Sequence, residues 1–335
     1  MGIKLNNSNF IKYIDELAQD YDLYGPVLKE KAGRYSDTDL ITYEKVESFS
    51  QMYWDKKSDY SAKDVVLPMN QTIFYFTEDS YTKPELKMRP SLVFLRSCDL
   101  HGMKRTDQIY LDNKFADIYY QERRDLIKFV LIGCEKEFDN CHCVDFETNY
   151  SDNYSIAINF RDDGYEIDIK DESIKAPIGE NIDFEIDYVK ENKNKVNIPE
   201  VVELGEVIDA SIWDEYSTRC IACGACNFVC PTCTCFTMQD IFYDENRNVG
   251  ERKRVLASCE IDGFCDMAGG HTFREDKKDR MRFKVLHKVS DFKERFGYNM
   301  CVGCGRCDDV CPEHILFSKT VNNLYDYVNG GNNNE

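Results

Sequence analysis

The sequence predicts a mixed α+β fold, in which an N-terminal α/β domain (residues 1–205) precedes a mainly α-helical domain (residues 206–325) and a flexible tail (residues 326–335). Two observations support this division. Short apolar runs and alternating segments, which are typical of strands, concentrate in the first 205 residues. Twelve of the 16 cysteines lie between Cys220 and Cys311, where the flanking segments show helical spacing instead.

The N-terminal domain is expected to contain a helix, a pair of buried parallel strands and a hairpin. Apolar residues recur at helical spacing over residues 10–17, after a possible cap at Ser8 or Asn9. Two short apolar runs, residues 91–96 and 128–133, are typical of buried strands, and the polar stretch between them is long enough for a crossover helix. Beyond them, residues 155–169 alternate around a turn and predict a hairpin.

The second domain is predicted to be mainly helical because strand signals almost vanish from it. Residues 206–219 and 282–296 show helical spacing. Before them, the polar segment 171–199 is typical of a linker or an exposed excursion. The Asn- and Gly-rich end of the chain is typical of a flexible tail.

The overall charge and the N-terminal segment narrow the class of protein. The formal net charge of −19 argues against nucleic-acid binding, because phosphate neutralisation needs a basic face. The apolar stretches are far shorter than the ~20 residues that a membrane-spanning helix needs, and the first ten residues lack the apolar run of a secretory signal. We therefore expect a cytoplasmic protein without membrane partners, in which 16 cysteines are more typical of metal ligands than of disulfides.

Two cysteine runs, starting at Cys220 and Cys301, carry the strongest signal. Each has the spacing C-x2-C-x2-C-x3-C-P, which in bacterial ferredoxins binds [4Fe–4S] clusters. The alternative is a pair of zinc sites, but zinc ribbons use two separated C-x2-C pairs. In two-cluster ferredoxins the last cysteine of each run binds the cluster of the other run. This pattern assigns one cluster to Cys220, Cys223, Cys226 and Cys311, and a second to Cys301, Cys304, Cys307 and Cys230. The second domain is therefore predicted to be ferredoxin-like, with a long insertion between its two runs.

A third group of cysteines lies in the first domain. Cys98 and Cys134 each follow one of the two predicted parallel strands, so both thiols would emerge at the same edge of the sheet. Cys141 and Cys143 return in a short loop soon afterwards. The alternative is that Cys98 and Cys134 are buried core residues, but a Cys-His-Cys loop among polar residues has no packing reason. These four cysteines are thus a candidate third metal site, with His142 at most supporting them.

These motifs together resemble the iron–sulfur subunit of anaerobic sulfite reductase and the related β subunit of sulfhydrogenase. The resemblance extends over residues 65–320 and joins two unrelated sets of motifs. It rests on residues 95–103, 119–124, 132–143, 230–236, 252–259, 268–271, 287–288 and 303–307. It also favours a [4Fe–4S] cluster as the occupant of the third cysteine group.

The resemblance implies an electron-transfer role within a hetero-oligomer, with no substrate site in this chain. In the family, electrons pass from a flavin- and NADH-binding partner towards a catalytic partner, which in the sulfite reductase carries siroheme and reduces sulfite to sulfide. The chain has no Gly-x-Gly-x-x-Gly motif after a strand, which agrees with flavin and nicotinamide binding elsewhere. Residues 261–264 and 267–270, with the chain length, favour sulfite reductase. The alternatives are a sulfhydrogenase or another reductase, a catalytic siroheme subunit, and a metal-based regulator.

Two features remain open at this point. The cysteines outside these groups could bind a fourth metal, but buried thiols are the favoured interpretation; they are Cys233, Cys235, Cys259 and Cys265. The basic-leaning stretch 274–288 is either a solvated face or a docking surface for an acidic or flavin-bearing partner.

Overall fold

The computed structural model describes residues 2–330, which form eleven helices and three sheets. The helices are α1 (Asn7–Asp20), α2 (Lys63–Val66), α3 (Ser97–Tyr110), α4 (Ile118–Arg124), α5 (Leu204–Val207), α6 (Glu215–Arg219), α7 (Ala225–Phe228), α8 (Lys277–Leu286), α9 (Phe292–Phe296), α10 (Arg306–Val310) and α11 (Phe317–Val328). The strands are β1 (Gly2–Leu5), β2 (Asp22–Lys29), β3 (Leu40–Val46), β4 (Asn70–Phe76), β5 (Tyr81–Thr82), β6 (Ser91–Leu95), β7 (Ile127–Ile132), β8 (Ile156–Arg161), β9 (Gly164–Ile169), β10 (Glu180–Ile182), β11 (Phe236–Phe242), β12 (Gly250–Leu256), β13 (Asp266–Met267) and β14 (His271–Thr272). The predicted mixed α and β class is confirmed.

An eight-stranded mixed sheet forms the centre of the first half, in the order β10-β1-β9-β8-β7-β6-β2-β3. The four adjacent strands β8, β7, β6 and β2 are parallel to one another. The strands on either side of these four pair antiparallel to them. The two predicted buried strands are β6 and β7, which pair directly. Because parallel strands end at the same edge of a sheet, the segments that follow β6 and β7 meet there.

Alternate residues of the central strands face two different cores. Phe94 and Val130 pack with α1 on one face, whereas Val93 and Leu131 pack with α3 and α4 on the other. The helices thus cover both sides of the sheet, as the long apolar character of β6 and β7 indicates.

The predicted N-terminal helix and hairpin are both present, with a different helix cap. The α1 helix is capped by Asn6, whose side chain accepts a hydrogen bond from the Asn9 amide at 2.9 Å. The hairpin consists of β8 and β9, which pair up to Arg161 and Gly164. The predicted cap at Ser8 or Asn9 is therefore wrong, because the observed cap lies two or three residues earlier in the chain.

A four-stranded antiparallel sheet joins the two halves of the chain, in the order β11-β12-β4-β5. Strand β4 belongs to the first half and pairs along its length with β12 of the second half. The sequence pattern does not predict β11 or β12. All seven residues of β11 are exposed, so no buried apolar face marks this strand.

The helices of the second half pack around Trp213, Tyr216 and Val285. Residues 277–296 form one helical stretch, in which a π turn (His287–Asp291) joins α8 to α9. Residues 206–219 are instead divided into α5, a short 3₁₀ turn and α6. The α11 helix continues to Val328, inside the stretch predicted as a tail, and residues 331–335 lie outside the described residues.

The polar segment 171–199 packs onto the body of the protein. Four of its apolar side chains are at most 6% exposed, namely Ile174, Ile186, Val189 and Val196. The interpretation of this segment as a linker or an exposed excursion is therefore wrong. Among residues 2–330, no helix is long and apolar enough to span a bilayer.

Candidate metal centres

The first ferredoxin run borders a pocket together with the last cysteine of the second run. The cysteines around this pocket that were assigned to one cluster are Cys220, Cys223, Cys226 and Cys311, which we call site one. Cys223 is exposed, and the other three are partly buried. Burial raises the pKa of Cys226 to about 11.

The last cysteine of the first run lies among the cysteines of the second run. Burial and the nearby Cys230 thiolate together raise the pKa of Cys301 to about 12, and they also raise the pKa of Cys304 and Cys307. The structure therefore places these four cysteines, which we call site two, close to one another.

The third cysteine group surrounds a pocket at the edge of the large sheet. Cys98 is the second residue of α3, which begins shortly after β6 ends at Leu95. Cys134 lies two residues after the end of β7. Cys141 and Cys143 border the same pocket from the next loop, and we call the four together site three. Burial, with the Cys141 and Cys134 thiolates, raises the pKa of Cys143 to about 12. The topology of the sheet thus brings together cysteines 45 positions apart in the sequence.

Site two contributes a cysteine to the pocket of each of the other two sites. Cys307 of site two also borders the pocket of site one, and Cys304 of site two borders the pocket of site three. Site two therefore lies between the other two sites. At the outer ends, Cys223 is exposed and Cys134 borders an open surface groove with Trp54 and Phe138.

Buried lysines face the thiols of sites one and two. Lys284 borders the pocket of site one, and Lys63 and Lys288 lie near Cys230. All three are at most 4% exposed. Lys63 donates hydrogen bonds to the Asn227 and Cys233 carbonyls, and Lys288 donates one to the Thr232 hydroxyl. Burial alone would lower the pKa of Lys288, but the negative charge of nearby thiolates raises it. A buried ammonium needs nearby negative charge. The Glu260 carboxyl lies near Lys284, and thiolate-bound clusters would supply negative charge at all three lysines.

Site three has its own lysine, which is paired. Lys57 borders the pocket and forms a 2.6 Å ion pair with Asp309, one residue before the end of α10. The negative charge of Cys141 and of Asp309 raises the pKa of Lys57 against the effect of burial. This side chain therefore connects the third site to the second ferredoxin run.

The sequence pattern does not predict these lysines as buried, because Lys63, Lys284 and Lys288 lie in helical segments, where lysines are usually exposed. Lys284 and Lys288 belong to the basic-leaning stretch 274–288, which was interpreted as a solvated face or a docking surface. The side chains of Arg280, Lys284 and Lys288 in this stretch are buried. Their spacing could have indicated a shared buried face, since residues four apart on a helix lie on the same side of it.

A buried ion pair fixes the second ferredoxin run against α3. The guanidinium of Arg306 donates two 2.7 Å hydrogen bonds to Asp99, and both side chains are 2% exposed. The same guanidinium also donates to the Ser58 carbonyl and hydroxyl at 2.8 Å. Asp99 follows Cys98 directly, so this pair holds sites two and three in a fixed relation.

Two glycines of the second run pack against the loop of site three. Gly303 and Gly305 have φ values of +60° and +72°, which L side chains rarely adopt. A Cβ at these positions would lie 2.4 Å from the His142 carbonyl oxygen and 2.0 Å from that of Asn140. The glycines thus permit close contact with the neighbouring loop. His142 itself is held by its amide, which donates to the Gly303 carbonyl at 2.9 Å.

A buried carboxyl group also borders site one. Glu260 is 1% exposed, and neither of its side-chain oxygens has a hydrogen-bond partner within the described structure. Burial raises its pKa, despite the nearby Lys284.

Within residues 2–330, no group of three or more His, Cys, Asp and Glu side chains is arranged to hold a single metal ion. In a [4Fe–4S] cluster the four thiolates bind four different iron atoms, so they stand farther apart than around one ion. The four-thiol sets with nearby buried ammonium groups fit such clusters.

Comparisons with known proteins agree with this chemistry. Residues 219–315 match the family model of a 4Fe-4S dicluster domain, which supports [4Fe–4S] clusters as the groups bound in this part of the chain. The chain is similar to sulfhydrogenase 2 subunit beta of Pyrococcus furiosus, with 28% identity over 342 residues that cover 96% of this chain and 98% of the relative. No solved structure matches the chain.

Proposed function

We propose that this protein is the iron–sulfur electron-transfer subunit of a sulfhydrogenase-like complex with several subunits. The observation that carries the proposal is the arrangement of three four-thiol sites in a row, with site two sharing a wall with each of the others. A row of such sites suits the transfer of electrons from one side of the protein to the other. The similarity to sulfhydrogenase 2 subunit beta over nearly the whole chain supports the same role.

The comparison supports a sulfhydrogenase better than the sulfite reductase that the sequence favoured. That preference rested partly on chain length, but this chain covers 98% of the sulfhydrogenase relative. Chain length therefore does not separate the two. The other support, residues 261–270, lies mostly on the surface, where Ile261 and Met267 are exposed.

Each site would hold one cluster through four cysteine thiolates. When bound, [4Fe–4S] clusters supply reversible one-electron transfer. The chain provides the thiolates, offsets their charge with the buried lysines, and excludes water from Cys304, Cys141 and Cys143 by burying them. The Arg306–Asp99 pair holds the two halves in a fixed relation.

The two ends of the row offer different contacts for partner subunits. Cys223 reaches the surface beside the exposed side chains of Ile221 and Ile261, and Cys134 reaches an open groove. We propose that a flavin- and NADH-oxidising partner docks at one end and a catalytic partner at the other.

Iron analysis tests the number of clusters directly. Three clusters require about 12 irons per chain and two require about 8. The double variant Cys141→Ser/Cys143→Ser should lose about four irons, while Cys265→Ser, whose cysteine lies outside all three sites, should lose none. A wild-type value near 8, unchanged in the double variant, would remove site three from the proposal.

Electron flow in the assembled complex tests the role. Cys304→Ser should abolish electron transfer from the NADH-oxidising subunit to the catalytic subunit, because Cys304 lies in the central site. Hydrogen and sulfide production, measured separately with protons, sulfur or sulfite as acceptors, would identify the complex. Unchanged electron transfer in the variant contradicts the proposal.

A further inference from the structure

Two cysteines outside the three sites, Cys235 and Cys259, form a contacting pair of free thiols. Cys235 precedes β11 and Cys259 follows β12, and pairing of these strands brings the two positions together. Beyond the paired strands, the Ala257 amide donates to the Cys235 carbonyl at 2.8 Å. The Cys235 and Cys259 thiols hydrogen-bond to each other.

The two thiols differ in exposure. Cys235 is half-buried, whereas Cys259 is 5% exposed. The buried side chain of Asn227 fixes Cys259, because its Nδ2 donates to the Cys259 sulfur at 3.2 Å. A small molecule can therefore reach the first sulfur more readily than the second.

The two thiols also differ in charge. Hydrogen bonds from Cys259 lower the pKa of Cys235, and the buried ammonium of Lys288 acts in the same direction. The pKa of Cys259 is raised, chiefly by its hydrogen bond to Cys235 and by burial. A half-buried thiol of lowered pKa beside an enclosed thiol of raised pKa is the arrangement of a reactive cysteine and its resolving partner.

We propose that Cys235 and Cys259 form a redox-responsive thiol pair, which small-molecule disulfides oxidise to an intramolecular disulfide. In the first step the Cys235 thiolate attacks one sulfur of the small disulfide, whose S–S bond breaks and releases one thiolate. In the second step the Cys259 sulfur attacks the Cys235 sulfur of the mixed disulfide, and the second small thiol leaves with the Cys259 proton. The two cysteines lose two electrons, and the small disulfide gains them.

Oxidation would alter the surroundings of site one. In the reduced protein, Asn227 contacts Cys259 through Nδ2, and its Oδ1 lies 3.5 Å from the Cys233 sulfur and 3.9 Å from that of Cys226. A disulfide at Cys259 changes the sulfur that accepts one of the two Nδ2 hydrogen bonds of Asn227, while the other, to the Ser258 hydroxyl at 3.0 Å, is unaffected. The pair would thus link the state of the small-thiol pool to the hydrogen bonds around a site-one cysteine.

The test uses the full-length protein, isolated without oxygen and incubated with mixtures of glutathione and glutathione disulfide. Free thiols are then alkylated, and the tryptic peptides are analysed by mass spectrometry. Trypsin separates the two cysteines because Arg247, Arg252, Lys253 and Arg254 lie between them. We expect a Cys235–Cys259 cross-link that increases with the disulfide fraction and disappears with dithiothreitol.

Single variants distinguish the two roles. Cys259→Ser should stop at the mixed glutathione disulfide on Cys235, and Cys235→Ser should reduce both products at least tenfold. Cys265→Ser is the matched control and should form the cross-link like the wild type. Cys259→Ala repeats the test without a hydroxyl, and circular dichroism verifies folding.

Two results would overturn the proposal. One is full alkylation of both wild-type thiols at the highest disulfide fraction. The other is a loss of iron in both Cys235→Ser and Cys259→Ser, which would make the two residues metal ligands instead. Because thiol trapping does not depend on electron transfer in the complex, failure here leaves the proposed function to be tested separately.

Discussion

At the level of single residues, the Arg306–Asp99 pair offers a clear stability test. Removing one partner of a buried pair leaves the other charge uncompensated, which typically costs about 3–5 kcal/mol. We expect Arg306→Met to lower the free energy of unfolding by this amount. The control Arg252→Met breaks an exposed pair with Asp240 and should have a much smaller effect, because water screens exposed pairs. Denaturant unfolding measures both, and equal effects would contradict the structural role of Arg306.

The buried charge of Lys288 should tune site two. Lys288→Met removes a positive charge near Cys230 and Cys301, so reduction becomes less favourable. If that charge is worth about 1.4 kcal/mol, the one-electron potential falls by about 59 mV.

Electron paramagnetic resonance during a redox titration measures this shift. Lys288→Arg should retain the wild-type potential, and so should the control Lys278→Met, whose lysine is exposed and paired with Asp214. A potential that does not change in Lys288→Met would show that the charge is not sensed by the site.

The cysteine spacing predicts ligand candidates because a cluster demands several thiols within one short loop. Site three could also be proposed, since Cys98 and Cys134 follow two strands of one sheet. The compensating charges could not be predicted. Lys63, Lys284 and Lys288 are buried only because of tertiary contacts with Cys230 and its neighbours, and a lysine in a helix is usually exposed.

At the level of elements, the contact between the second ferredoxin run and the loop of site three can be tested with matched glycine variants. Gly305 and Gly297 have similar φ values of +72° and +84°, but only Gly305 faces a crowded position. Gly297→Ala should cost about 1–2 kcal/mol from the left-handed backbone alone. Gly305→Ala should cost more, because the added Cβ meets the Asn140 carbonyl.

Denaturant unfolding and iron analysis measure this difference. We expect Gly305→Ala to lose iron from site three as the loop moves, whereas Gly297→Ala retains its iron. Similar stability and iron content in the two variants would show that the loop adjusts without cost.

The elements that could be predicted are those whose pattern is local. Strands β6 and β7 are mostly apolar, and the β8–β9 hairpin alternates apolar and polar residues. The residues of each strand are therefore enough to predict it. Strand β11 has no buried side, and β12 is paired on both edges, by β4 and β11. Their existence depends on a partner strand far away in the sequence, which a local pattern cannot show.

At the level of the whole molecule, separating the chain near residue 205 should prevent independent folding of the two parts. The cut would remove β4 from β12 and Asp99 from Arg306. We expect the fragment 206–335, expressed alone, to aggregate or to lack native hydrogen-exchange protection in β12. Mixing it with fragment 1–205 should restore soluble, protected protein. A soluble, well-folded 206–335 fragment that binds eight irons alone would establish two independent domains instead.

Strand β11 has a consequence for how the protein is produced. Within residues 2–330, β11 ends one sheet with an unpaired edge and exposes Phe236, Met238, Ile241 and Phe242. Such an edge can pair with another copy of itself, which is the first step of strand-to-strand association. If the chain is synthesised in excess over the partner subunits proposed above, it would therefore have a limited lifetime as a monomer. Balanced synthesis of the subunits would then be a requirement that the fold imposes on the cell.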